Sequence, residues 1–247
     1  MIVQIYEIQT AEEARRMIEL GVDHIGGVLV STRQREDIEL KAAVDCVQAA
    51  GCRSSLIPLF ADPDLIAAAV EYYRPDILHL CEALGATLDD PDLLKTLERQ
   101  KQIRRRFKQL QIMRSVPIAV AGQSHRIPSL EMARLFEPYS DWFLTDTLLV
   151  GRSDQQQPVS GYVGITGLTC DWNIARRLVA ASSIPVILAG GIGPDNVREG
   201  IAAVQPAGVD SCTGTNMLDP AGLPIRFRKD YTKVRKMVQA ARESARH

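Results

Sequence analysis

Short apolar runs alternate with longer amphipathic stretches from one end of the chain to the other. The runs at residues 2–6, 24–30, 54–60, 77–80, 117–121, 142–145, 185–188 and 209–212 are short and apolar enough to read as buried strands. Between them apolar positions recur with helical spacing, as over 11–20, 38–50, 65–73, 171–181, 196–204 and 230–245. Eight such units in series predict parallel strands joined by helical crossovers. At 247 residues the chain matches the roughly 250 typical of one such barrel, so an α/β (β/α)8 TIM barrel forming a single domain over 1–247 is expected.

Two stretches stand apart from the repeat. Residues 96–114 read as one helix with a dense basic run, Lys101, Arg104, Arg105, Arg106 and Lys108. That describes a solvated outer face better than a nucleic-acid patch, because no aromatic residues interleave. Residues 150–160, with Gly151, Ser153 and Pro158, read as a loop after strand six and a candidate lid over the barrel mouth.

Net charge changes the picture little. With 29 Lys+Arg against 30 Asp+Glu, the chain has no bulk attraction to nucleic acid or an anionic membrane, and a phosphorylated small molecule is the expected partner. Five cysteines without a CxxC pair speak against a disulfide scaffold. The opening Met-Ile-Val-Gln-Ile carries no signal-like basic and apolar regions, and no run approaches the ~18 apolar residues of a membrane span. A cytoplasmic monomer or homodimer with no nucleic-acid or membrane partner is expected.

Barrel chemistry sits at the carboxyl ends of the strands. Residues 184–191 and 208–214 are two strands that each end in a glycine-containing loop, including Gly190, Gly191 and Gly214. Backbone N–H groups left uncovered there form a phosphate cradle. The polar inventory at the other strand ends is short: Tyr6, Glu7, Arg33, Arg35, Asp62, His79, Glu82, His125, Asp146, Asp210 and Cys212. Asp146 closes an apolar strand, where partial burial would raise its pKa and suit it to donate a proton. No lysine ends a predicted strand, so Schiff-base chemistry lacks its nucleophile. Four histidines without ligand spacing give no metal site, and no cofactor is expected.

These motifs, taken in order, resemble the phosphoribosylanthranilate isomerase family of tryptophan biosynthesis, barrel enzymes that convert an aminoaldose phosphate to an aminoketose phosphate. The resemblance is carried by Leu144-Thr145-Asp146-Thr147, Gly164-Ile165-Thr166-Gly167, Asp171-Trp172, Ile187 through Ile192, Gly208-Val209-Asp210 and Lys229-Asp230. It is looser in the N-terminal half, through residues 11–27, Ser31-Thr32-Arg33 and 58–62. It implies that Asp146 is the general acid, that Arg33, His79 and Asp210 contact the substrate, and that Gly167, Gly190, Gly191 and Gly214 line the phosphate site.

The first strand departs from that pattern. Where the family has a catalytic cysteine, this chain reads Gln4-Ile5-Tyr6-Glu7, and a phenol with an ordinary pKa of about 10 is a poor base at neutral pH. Strand alternation sends Glu7 away from the side of Tyr6 unless the strand end bulges. Strand four reads His79-Leu80-Cys81-Glu82, and bulky Tyr6 and Glu82 are expected to reshape the pocket. Two readings stay open. One is an aldose–ketose isomerase whose base is unassigned among Glu7, His79, His125 and Cys212. The other is a phospholigand-binding or protein-interaction barrel that has lost the reaction. An enzyme should place Asp146 within reach of a second ionisable group across a pocket.

Overall fold

The computed structural model describes residues 1–85, 87–150 and 157–244. Eight parallel strands close into a barrel in sequence order: β1 (Ile2–Ile5), β2 (His24–Leu29), β3 (Arg53–Pro58), β4 (Ile77–Leu80), β5 (Gln111–Ala119), β6 (Trp142–Leu148), β7 (Val186–Leu188) and β8 (Gly208–Ser211). Helices α1 (Ala11–Glu19), α2 (Ile38–Ala49), α3 (Pro63–Tyr73), α4 (Pro91–Arg106), α5 (Ser129–Phe136), α6 (Trp172–Ala181), α7 (Val197–Val204) and α8 (Tyr231–Ser244) follow the strands in turn. This is the (β/α)8 architecture that the alternating pattern predicts. No helix among the described residues is long and apolar enough to cross a membrane.

Local sequence explains where the helices begin. Thr10 and Glu13 form a reciprocal capping box at α1, and Asp37, Asp62, Asp90 and Asp171 accept main-chain N–H groups at the starts of α2, α3, α4 and α6. Such caps satisfy donors that have no partner within the helix. Proline follows the cap of α3 and α4, where its missing N–H costs nothing.

Three expectations are corrected. The basic helix ends at Arg106, and the chain re-enters the sheet at Gln111, so β5 begins six residues before the expected Pro117. Arg114 is therefore a fully buried strand residue. The apolar run was interrupted by Arg114 and Ser115, whose partners lie on other elements. A short antiparallel pair, β9 (Asn216–Leu218) and β10 (Pro224–Lys229), also stands between β8 and α8, where no strand was expected. Of the expected lid, residues 151–156 lie outside the described residues, as does residue 245 at the end of the last expected helix.

Candidate active site

A cavity of about 730 Å³ opens at the carboxyl ends of the strands. Its walls follow the period of two that brings alternate strand residues to one face: Tyr6, Val28, Ile57, His79, Cys81, Leu144, Asp146, Ala189 and Asp210 all face it. Gly167, Gly190, Gly191 and Gly214 line its β6–β8 side. The loops that carry them are pinned by side chains. Thr147 donates to the Leu168 carbonyl at 2.6 Å, Ser211 donates to the Ile192 carbonyl at 2.7 Å, and Asn196 holds both the Gly193 N–H and the Gly191 carbonyl at 2.9 Å.

Two aspartates line the cavity. Asp146 is partly open to it, accepts the Thr147 N–H at 2.8 Å and lies against Gly164, where an added Cβ would come within 2.1 Å of its Oδ2. Burial raises its pKa to about 7, with the Thr147 N–H opposing. Asp210 is buried at 6% exposure, and burial likewise lifts its pKa to about 7, opposed by its hydrogen bond from Gln4 and reinforced by the charge of Asp146. Strand register explains the Gln4 contact. Gln4 of β1 stands opposite Asp210 of β8 and His24 of β2. Its Nε2 donates to Asp210 at 3.0 Å while its Oε1 meets His24 Nδ1 at 3.2 Å.

Tyr6 presents a hydrogen-bonded ring to the cavity. Its hydroxyl lies 2.5 Å from Ser55 Oγ and 2.8 Å from His79 Nδ1, and His79 Nε2 lies 2.8 Å from Ser115 Oγ. The ring rests on Gly26, where an added Cβ would approach it to 2.1 Å. Burial, and then the charge of Asp210, push the Tyr6 phenol well above its ordinary value. Burial pushes His79 down to about 3. Both groups stay neutral at working pH and neither is disposed to exchange a proton. The thiols of Cys212 and Cys81 are raised by burial and stay protonated too.

Glu7 does reach the cavity, because the chain turns at its φ of +66° instead of continuing the strand. Its carboxylate accepts Arg226 Nε at 2.7 Å, the Phe227 N–H at 3.0 Å and Asn216 Nδ2 at 3.2 Å, with Lys229 Nζ 3.9 Å away. Burial alone would raise Glu7, but Lys229, the Phe227 N–H and Arg226 outweigh it and hold the carboxyl below the usual range. Glu7 thus anchors the β9–β10 hairpin to the end of β1 as a weak base.

Other expected residues fall elsewhere. Arg33 and Arg35 are exposed on a 3-10 turn at Thr32–Glu36, outside the cavity lining, and Asp62 caps α3. His125 is exposed in the turn at Ser124–Arg126. Glu82 does not narrow the cavity: it lies behind the wall, paired with Arg114 at 2.8 Å and Arg99 at 3.2 Å. Among the described residues no acidic, His and Cys cluster could hold a metal. Arg226 was not anticipated. The only signal for it was the alternating segment Pro-Ile-Arg-Phe-Arg-Lys after the eighth strand.

A family model described as N-(5'phosphoribosyl)anthranilate (PRA) isomerase matches residues 105–240, more than half of the chain. The N-(5'-phosphoribosyl)anthranilate isomerase of Methanocella arvoryzae is 26% identical over 251 aligned positions, covering 97% of this chain and 97% of that protein. N-(5'-phosphoribosyl)anthranilate isomerase 2 of Methanosarcina mazei is 29% identical over 245, covering 96% and 98%. Among solved structures, a phosphoribosyl anthranilate isomerase in complex with reduced 1-(o-carboxyphenylamino)-1-deoxyribulose 5-phosphate superposes with a TM-score of 0.66 at 18% identity, covering 98% of this chain and 100% of that one. That likeness is one of fold.

Proposed function

Since the chain belongs to the N-(5'-phosphoribosyl)anthranilate isomerase family, we propose that it catalyses that aldose–ketose isomerisation with a carboxyl pair, Asp146 as acid and Asp210 as base, in place of the family's cysteine. The observation that carries this reading is that Asp146 and Asp210 face one cavity and both have pKa values near 7. A pair with one proton between them supplies acid and base at neutral pH. Tyr6, kept neutral by burial and tied to Ser55 and His79, closes the floor of the pocket and takes no proton.

In the first half of the reaction Asp146 gives its proton to the furanose ring oxygen. The C1–O bond breaks, and the nitrogen lone pair forms the C1=N iminium. Asp210 then takes the C2 proton. The C2–H electron pair becomes the C1=C2 bond, and the C1=N π pair returns to nitrogen. The resulting enolamine gains the proton on Asp210 at C1 and loses its O2 proton to Asp146, which leaves the ketone and both carboxyl groups as they began. The glycine loops Gly167, Gly190, Gly191 and Gly214 hold the 5-phosphate throughout, and no cofactor takes part.

The test is steady-state turnover of phosphoribosylanthranilate by the wild-type chain, Asp146→Asn and Asp210→Asn. Each substitution should lower kcat by about 10²–10⁴ while affinity for the reduced product analogue persists. Analogue binding without wild-type turnover would favour the second reading, a phospholigand-binding barrel, for which Tyr6 at the position of the family's base is the supporting observation. Turnover unchanged in Asp210→Asn would move the base elsewhere.

A further inference from the structure

Among the described residues that line the cavity, Arg226 is the only arginine or lysine, alongside Glu7, Asp146 and Asp210. It reaches the cavity from β10, and its side chain is 35% exposed there. Glu7 fixes its direction by accepting Nε at 2.7 Å, and the Phe227 ring lies 4.8 Å from its guanidinium carbon. Its Nη2 is buried without a protein partner, and among the cavity-lining residues described it is the only side-chain nitrogen or oxygen in that condition. A buried donor left unmade costs about 1–3 kcal/mol, and a charged one costs more. That nitrogen has no accessible surface, so a ligand in the cavity meets the part of the Arg226 side chain that remains exposed.

Position identifies the acceptor. The glycine loops occupy the β6–β8 side of the mouth, where main-chain donors take a phosphate. Glu7 and Arg226 sit at the end of β1, which lies between β8 and β2. Beyond them, toward β2 and β3, the wall becomes apolar with Val28, Ile57 and Leu59 and is closed by Tyr162, a slot suited to an aromatic ring. A planar acid whose ring entered that slot would turn an adjacent carboxylate toward β1. A guanidinium is the side chain best shaped to take two carboxylate oxygens.

On the isomerase reading, we infer that Arg226, docked by Glu7, is the group that binds the carboxylate on the aromatic end of the ligand. It takes the role that family resemblance implies for Arg33, which is exposed and stands outside the cavity. Phe227 and Glu7, both at left-handed φ values of +60° and +66°, are the backbone cost of holding the guanidinium there.

The test compares two probes by calorimetry: reduced 1-(o-carboxyphenylamino)-1-deoxyribulose 5-phosphate, and the same compound without its carboxyl group. Wild type should prefer the first by about 10–100-fold, the worth of a charge-assisted contact. Arg226→Ala should abolish that preference, leaving the carboxyl-free probe within about twofold, and Arg226→Lys should keep part of it. Equal affinity of wild type for the two probes overturns the inference without any substitution. So does an equal loss for both probes in Arg226→Ala, which would indicate a structural role, or a preference that disappears in Arg33→Ala and survives in Arg226→Ala. If wild type binds neither probe, the isomerase reading falls and the inference with it.

Discussion

Asp146 and Asp210 owe their raised pKa values to what surrounds them. A free aspartate would be ionised at neutral pH and unable to donate, whereas burial brings both carboxyls to about 7. The charge of Asp146 raises Asp210 further, so the protonation state of one bears on the other. One group must hold a proton and the other must not, so kcat/KM should follow a narrow bell centred near pH 7. A profile flat from pH 5 to 9 would disconnect the pair from the chemistry. Backbone strain gathers at the same place. Of the five non-glycine residues with positive φ among those described, Glu7, Ile165 and Phe227 border the site, while Arg74 and Gln205 merely terminate helices. A β-branched residue in that region is costly, and Ile165 lines the cavity directly after Gly164, the residue against which Asp146 packs.

At the scale of elements, the feature that departs most from an ordinary barrel wall is the buried charge between β5, α4 and the end of β4. Arg114 donates to Glu82 and to Gln100, both at 2.8 Å, stacks on Phe136, and shares Glu82 with Arg99. Burial raises the Glu82 carboxyl, but Arg114 and Arg99 more than compensate and hold it below the usual range. The backbone of Glu82 also bridges to Tyr162, so this cluster sets the height of one cavity wall. Replacing one partner strands the other's charge. Arg114→Met or Glu82→Gln alone should each cost about 3–5 kcal/mol in urea unfolding. The double substitution should cost less than the sum, because it strands neither Arg114 nor Glu82 and leaves only the part-exposed Arg99 without its carboxylate. Additive losses would mean that packing, not charge, holds the element. The helix caps, by contrast, act locally, each through its own Asp or Thr.

For the whole molecule, the carboxyl pair makes the site a source of instability. A group whose folded pKa lies above its unfolded value binds more protons in the native state between the two values. Stability therefore falls as pH rises from about 4 through 7 and then levels. Asp210→Asn should be more stable than wild type at pH 8, by about 1–3 kcal/mol in urea unfolding, with the difference closing toward pH 4. A difference independent of pH would point to a cause other than ionisation. The barrel itself was readable in advance, because strand and helix periods are local properties of the chain. So were the glycine loops and Asp146, which sit at strand ends wherever the strands fall. The start of β5 was misread, because Arg114 and Ser115 look like a polar break until the residues that neutralise and bond them are brought together. The sequence by itself determined the order of elements, the closure into a barrel and the family. Only the tertiary structure decided that Asp210 is paired through Gln4 across the β1–β8 register, that Tyr6 is tied to His79, and that Arg226 rather than Arg33 enters the cavity. Those contacts join residues far apart in the chain, and their energies depend on burial and register that no local pattern encodes.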